Sequence, residues 1–169
     1  MITELINSSL SYLTLLGQII LLVVLVMFLN KKNLSFLKKN VILFAFIVAL
    51  IATTGSLFYS EILGYTPCKL CWLQRIFMYP LVLLFGISLF KKDNNIIPYG
   101  LGMSLVGAII AIYHYLLQIG FVSGMSCGVV GHSAECSKRF VMDLGYITIP
   151  MMAFTAFLLI FLFLYLKRK

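Results

Sequence analysis

The fold of this chain is decided by residues 67–90, P-C-K-L-C-W-L-Q-R-I-F-M-Y-P-L-V-L-L-F-G-I-S-L-F. From Cys71 to Phe90 the stretch carries one charged residue, Arg75. A helix of this length, at about 1.5 Å per residue, reaches about 30 Å, the thickness of the hydrocarbon core of a bilayer. A C-x-x-C pair, Cys68 and Cys71, stands at its start. The stretch therefore predicts a membrane-spanning helix with two cysteines at its mouth.

Further apolar stretches of similar length run roughly over residues 10–29, 40–60, 98–119 and 147–166. Hydrophobic residues make up 62% of the 169 residues and charged residues 11%, which excludes an ordinary soluble domain. Because a bilayer offers no hydrogen-bond partner to the backbone, stretches of this length must be helices. We predict an all-α, polytopic membrane protein, a four-helix transmembrane bundle with one additional N-terminal transmembrane helix.

The predicted division of the chain follows from these stretches. Residues 1–39 hold the additional helix and a basic cytoplasmic loop, and residues 40–169 hold the four-helix core with two extracytoplasmic cysteine segments. The first stretch lacks a basic region before it and a cleavage site of small residues. We therefore expect a retained helix rather than a signal peptide.

The net charge of +8 is carried between the apolar stretches and not along a surface that could bind nucleic acid. By the positive-inside rule, the basic gaps mark cytoplasmic ends. The N-terminus and all four cysteines then lie outside, where disulfides persist, and the C-terminus lies in the cytoplasm. The basic residues that set this orientation are Lys31, Lys32, Lys38, Lys39, Lys91, Lys92, Lys167, Arg168 and Lys169.

The C-x-x-C pair is suited to redox chemistry. Residues 68, 71 and 75 share one face of a helix, so Arg75 follows Cys71 by one turn. The guanidinium and the helix N-terminus both favour a negatively charged sulfur. His114 is expected at a similar depth below the outer surface. The alternatives are an arginine that reaches back to the lipid head groups and a histidine that only packs.

The second pair, Cys127 and Cys136, lies in the long segment 120–146, which predicts a flexible arm. Disulfides that close short exposed loops are easily exchanged, so a redox role competes with a structural one. Zinc is disfavoured because a second C-x-x-C is missing, and no metal is predicted. The arm is expected to lie on the membrane surface through Phe140, Val141, Met142 and Leu144.

These motifs resemble the DsbB family of membrane thiol oxidases, and within it the BdbC-like branch of Gram-positive bacteria. The resemblance rests on P-C-K-L-C-W-L-Q-R-I-F-M-Y-P at 67–80, Y-H-Y-L-L-Q at 113–118, the outer pair, and L-G-Y-I-T-I-P at 144–150. It covers residues from about 40 to 166. Residues 1–39 lie outside it.

The resemblance implies a thiol:quinone oxidoreductase of the bacterial cytoplasmic (inner) membrane. It would reoxidise an extracytoplasmic thioredoxin-like dithiol oxidase, similar to DsbA or BdbD, and pass electrons to a membrane quinone, menaquinone or ubiquinone. Cys127 would react with the partner, and Cys136 would exchange with Cys68 to free Cys71 as the thiolate facing the quinone. Arg75 and His114 would border the quinone ring.

Two other functions stay open at this point. A vitamin K epoxide reductase-like enzyme also couples two cysteine pairs to a quinone, but its loop pair precedes the C-x-x-C, which is the reverse of the order here. A non-enzymatic membrane scaffold or metal permease would use the cysteines structurally. A permease needs polar side chains along a path through the bilayer. The middle of these apolar stretches contains few polar side chains.

Overall fold

The computed structural model of the protein describes residues 2–30, 35–122, 136–137 and 139–168, with side chains from residue 7 onward. In this part of the chain the helices are α1 (Ile2–Leu29), α2 (Ser35–Lys39), α3 (Val41–Leu57), α4 (Lys69–Lys91), α5 (Ile97–Gln118) and α6 (Ile149–Arg168). A π-helical turn, Phe58–Ile62, continues α3. The described residues contain no strand beyond a single bridge between Asp143 and Ile147.

Five of these helices are long and apolar enough to cross a membrane, which makes the chain a multi-pass membrane protein. Their spans are Asn7–Leu29, Val41–Ile62, Lys69–Lys91, Ile97–Gln118 and Ile149–Arg168. The predicted fold class, a four-helix bundle with one additional N-terminal helix, is confirmed. The short helix α2 lies in the gap that was predicted as a basic loop.

Helices α3, α4, α5 and α6 form the bundle, in which each helix packs on the next and α6 closes the ring on α3. Fully buried side chains from α4, α5 and α6 fill its centre. Helix α1 stands outside this ring and packs mainly on α6. The innermost apolar residues are Leu81, Phe85, Ala111, Phe157, Ile160 and Leu164.

Of the predicted surface arm, residues 123–135 and 138 lie outside the described residues, and the part just before α6 packs on the end of the bundle that carries Cys68. Val141 is buried, and the Phe140 ring stacks on Tyr65 with a centroid separation of 4.9 Å. Met142 and Leu144 are exposed, and their contact with the membrane surface stays a prediction. The prediction was wrong for Phe140 and Val141 because it did not foresee that the 59–66 segment supplies aromatic partners for this end of the chain.

Helices α5 and α6 approach closely because α5 carries glycines at the contact. A Cβ atom at Gly107 would overlap the ring of Phe157, which is fully buried. A Cβ atom at Gly100 would lie 2.7 Å from Leu164 Cδ1. Small residues let membrane helices pack backbone to side chain, where dispersion contacts take the place of a hydrophobic driving force.

We predict that Gly107→Ala destabilises the bundle by about 1–3 kcal/mol, the usual effect of overpacking. The matched control is Gly102→Ala on the same helix, where a Cβ atom would meet nothing within 4 Å. Unfolding of both variants in mild detergent, followed by helical circular dichroism, makes the comparison. Equal stability of the two variants would contradict the close α5–α6 contact.

Candidate active site

The first turn of α4 holds the C-x-x-C pair. Cys68 is the N-cap residue with extended backbone (φ −78°, ψ 172°), and its Sγ accepts a hydrogen bond from the backbone N–H of Cys71 at 3.3 Å. A sulfur thus takes the place of the oxygen that usually satisfies a free N–H at a helix start. This arrangement brings the two Sγ atoms to 3.1 Å at the positive end of the helix dipole.

The two sulfurs of this pair differ in protonation. The Cys68 thiol donates a hydrogen bond to Cys71 Sγ, and Cys68 is only 3% exposed. This bond, followed by burial, raises the pKa of Cys68 to about 12. Cys68 is therefore the sulfur that holds the proton, and Cys71 is the acceptor in the pair.

His114 is buried against Cys68. Its Nε2 lies 3.1 Å from the carbonyl oxygen of Cys136 and 3.6 Å from Cys68 Sγ, and its Nδ1 lies 3.0 Å from Gln74 Nε2. A carbonyl oxygen only accepts, so Nε2 carries the proton and Nδ1 accepts from the Gln74 amide. Gln74 therefore sets the tautomer in which Nε2–H donates to the Cys136 carbonyl and lies close to the Cys68 sulfur.

Cys136 joins this group from the segment before α6. It is 2% exposed and forms a small buried cluster with Cys68 and Leu117, against which Leu70 and Cys71 also pack. One member of the outer pair is thus beside the C-x-x-C pair. Cys127, the other predicted member, lies outside the described residues.

Arg75 lies one turn below Cys71 and is buried. Its Nε donates to Ser56 Oγ at 3.1 Å, and a terminal nitrogen donates to the Ser56 carbonyl at 3.0 Å. Its guanidinium carbon also lies 5.3 Å from the centre of the Trp72 ring and 6.0 Å from that of Tyr79. Since neutral groups hold it, its positive charge is available to a ligand.

A cavity of about 420 Å³ opens between α1, α3, α4 and α6. Its polar groups gather at the end near Cys68, where Cys71, Gln74, Arg75 and Ser56 line it; His114 is not among the lining residues. Tyr59 lines the same end, and its buried hydroxyl has no hydrogen-bond partner among the described residues. The remaining wall is almost entirely apolar, as in sites for small organic ligands.

A metal ion could find three ligands here. The Sγ atoms of Cys68 and Cys71 and a ring nitrogen of His114 lie within 4.8 Å of one another. Structural zinc sites use four protein ligands. His114 Nε2 also faces a carbonyl oxygen, so a metal would have to replace that hydrogen bond. The sequence-based expectation of no metal stays a prediction.

The structure brings Cys68, Cys71, Arg75, His114 and Cys136 together at one end of the bundle. Three residues of the site were not predicted from the sequence. They are Gln74, which contacts His114, Ser56, which accepts from Arg75, and Tyr59, which lines the cavity. Gln74 could have been found, because a glutamine inside a spanning helix needs a reason. Ser56 and Tyr59 could not have been found in this way. They lie on α3 and the turn that continues it, and the sequence does not show that α3 packs beside α4.

The fold and the site define a membrane protein that carries a reactive dithiol at one end of a helical bundle, facing an apolar cavity. Comparisons with known proteins identify it further. The family model "Disulfide bond formation protein DsbB" matches residues 38–166, and the chain belongs to this family. It is an oxidoreductase of disulfide bond formation, and the predicted resemblance is confirmed.

Curated relatives agree with this family. The chain is 44% identical over 130 residues to a "Probable disulfide formation protein" of Oceanobacillus iheyensis, covering 77% of this chain and 90% of that one. It is 47% identical over 134 residues to "Disulfide bond formation protein C" of Bacillus subtilis, covering 77% and 96%. No solved structure matches the chain.

We predict that the two thiols differ in how their alkylation depends on pH. In reduced Cys127→Ser/Cys136→Ser protein, iodoacetamide should modify Cys71 first. Only a thiolate attacks, so the rate at Cys68 should rise about tenfold per pH unit. The rise should continue until the pH nears its pKa of about 12.

The matched control is the same protein with Cys71→Ala, which removes the hydrogen bond that keeps Cys68 protonated. Its Cys68 should react at lower pH. Peptide mass spectrometry at low conversion measures both rates. The same pH dependence of Cys68 with and without Cys71 would contradict the assignment of the proton.

Proposed function

We propose that the protein oxidises the dithiol of an extracytoplasmic thioredoxin-like oxidase and delivers the electrons to a membrane quinone, menaquinone or ubiquinone. One observation carries the proposal. A sulfur pair 3.1 Å apart stands at the polar end of an apolar cavity of about 420 Å³, with a buried arginine beside it. This arrangement suits a ligand with a polar, reducible ring and an apolar remainder.

The cavity residues fit such a group. A bound quinone supplies an acceptor for two electrons and two protons. Arg75 and the free hydroxyl of Tyr59 are the groups that would hold its carbonyl oxygens, since both line the polar end and can donate. The apolar wall of the cavity would contact the apolar remainder of the quinone. Buried donors preorganised toward developing negative charge are the usual source of electrostatic stabilisation in active sites.

Each thiol step of the proposal is a thiol–disulfide exchange, in which one S–S bond forms as another breaks. A partner thiolate attacks the Cys127–Cys136 disulfide, and the partner's second thiol resolves the mixed disulfide, so the partner leaves oxidised and the pair reduced. Cys136 then attacks Cys68 and breaks the Cys68–Cys71 bond. Cys127 attacks Cys136, restores the outer disulfide and releases Cys68. The Cys68–Cys71 dithiol would then close to its disulfide again, and its two electrons and two protons would pass to the quinone. In sum, a partner dithiol becomes a disulfide and the quinone is reduced by two electrons.

The described contacts support separate roles at each sulfur. Cys71 leaves as a thiolate at the helix N-terminus, one turn from Arg75, and it lines the cavity. Cys68 leaves beside His114, whose Nε2–H lies 3.6 Å from it and can stabilise the departing negative charge. Of the two residues predicted beside the ring, only Arg75 lines the cavity. We therefore assign His114 the role of stabilising the negative charge on Cys68, and not that of bordering the quinone ring.

The proposal includes the predicted orientation and division of the chain. The N-terminus and all four cysteines lie outside the cytoplasmic membrane, and the C-terminus lies inside. Residues 1–39 form the additional helix and basic loop, and residues 40–169 form the core. The basic residues at the opposite end of α4 from Cys68, Lys91 and Lys92, support this orientation.

Quinone absorbance tests the electron transfer. Full-length protein mixed with quinone and a reduced thioredoxin-like partner should bleach the quinone, and Cys71→Ser should abolish the reaction. Arg75→Gln should raise the quinone KM about tenfold, which corresponds to one lost hydrogen bond to a charged donor. The matched control is Lys91→Gln, at the exposed far end of the same helix. No bleaching by the native chain would refute the proposal.

His114→Phe should give the opposite pattern to Arg75→Gln. Losing a donor at the Cys68 sulfur should slow thiol exchange about tenfold to a hundredfold and leave the quinone KM unchanged. Stopped-flow mixing with reduced partner separates exchange from quinone reduction. If His114→Phe raises the quinone KM and spares the exchange rate, then His114 borders the ring as first predicted, and its assignment to Cys68 fails.

A further inference from the structure

Helix α1 lies outside residues 38–166, which the family model matches, yet it lines the cavity at the active site. Most of its side chains are exposed, so it adds little to the core of the bundle. Six of its residues nevertheless line one wall of the cavity over three turns. They are Leu10, Leu13, Thr14, Leu16, Gly17 and Ile20.

Polar contacts hold α1 in place. Ser11 Oγ donates to Asp143 Oδ2 at 2.7 Å in the turn before α6. The Gln18 amide donates to Thr155 Oγ1 at 3.3 Å, and Tyr146 Oη donates to Gln18 Oε1 at 2.8 Å. Hydrogen bonds between side chains in apolar surroundings fix which faces of two helices meet. The position of α1 is therefore specified and is not that of a helix resting loosely on the bundle.

The cavity exists because α1 packs closely on α6 and stands away from α3. Gly17 lets α1 approach α6, since a Cβ atom there would lie 3.2 Å from Leu159 Cδ1. Leu10 lies near α3 at Gly55, where an added Cβ atom would be 3.6 Å from Leu10 Cδ2, but beyond this point a gap remains. Thr14, the one hydroxyl on the α1 wall, donates to its own helix at the Leu10 carbonyl, so the wall stays apolar.

The gap is long as well as apolar. It reaches from Cys71 and Ser56 at the polar end to Phe44 and Leu37 at the other. Ser56 and Phe44 lie 12 residues apart. At about 1.5 Å per residue this is about 18 Å along one helix. A ring held at the polar end would leave most of this length to an extended apolar chain.

We propose that α1 is the wall against which the isoprenoid tail of the acceptor lies, and that it makes this protein select tailed quinones over tail-less ones. The proposal rests on the proposed function, because it takes a quinone to be the acceptor. The quinone ring would bind at the polar end of the cavity, and the tail would lie in the stretch between α1 and α3.

Quinone binding by the full-length chain tests this without turnover. Trp72 is the sole tryptophan, and its ring lies 5.3 Å from the Arg75 guanidinium carbon, so quenching of its fluorescence reports a ligand at the polar end. Leu13→Ala/Ile20→Ala removes contacts from the cavity wall. We expect it to raise the Kd of a tailed quinone about tenfold and to leave that of a tail-less quinone unchanged.

The matched control is Leu22→Ala/Val26→Ala on the exposed face of α1, which should change neither Kd. A second variant, Gln18→Leu, keeps the cavity wall and removes the two hydrogen bonds that Gln18 makes with Thr155 and Tyr146, so it should also weaken only the tailed quinone. This variant tests whether the effect of Leu13→Ala/Ile20→Ala comes only from a local loss of packing.

The outcomes separate the two proposals. No quenching by either quinone in the native chain overturns the proposed function. Native binding that both α1 variants leave unchanged overturns the role of α1 and spares the proposed function. Equal weakening of both quinones would place α1 against the ring and would also overturn the tail assignment.

Discussion

The hydrogen bond from the backbone N–H of Cys71 to Cys68 Sγ is the interaction on which the site depends. It makes a cysteine the N-cap of α4, and so it places both sulfurs at the positive end of a helix dipole. The same geometry leaves the Cys68 proton pointing at Cys71 and orients Cys71 toward the cavity. Without this cap the two cysteines would be neighbours in sequence only.

Around this cap, the bundle supplies a different environment to each sulfur. Cys68 packs with Cys136 in a buried cluster, and His114 Nε2 lies 3.6 Å from the Cys68 sulfur. Cys71 faces an apolar cavity that the buried Arg75 also lines. Gln74 touches both environments, because it lines the cavity and holds His114. The first turn of α4 thus lies between the buried cluster around Cys68 and the cavity.

The sequence predicted most of this fold because the bilayer limits the choices. Apolar stretches of about 20 residues have to be helices, so their number and approximate bounds followed directly. Cys68, Cys71 and Arg75 were predictable from helical spacing. The partners Ser56 and Tyr59, the inward packing of Phe140, and the cavity wall of α1 depend on which helices are neighbours. The apolar stretches themselves carry no signal for that choice.

The central claim is that electrons pass between Cys136 and Cys68. The most direct measurement is mass spectrometry of oxidised Cys71→Ser/Cys127→Ser protein, in which these are the two remaining cysteines. The account predicts an intramolecular Cys68–Cys136 disulfide that forms faster than in the same protein with His114→Phe. Two free thiols under these conditions would contradict the account, because the buried contact between the two residues would then have no part in exchange.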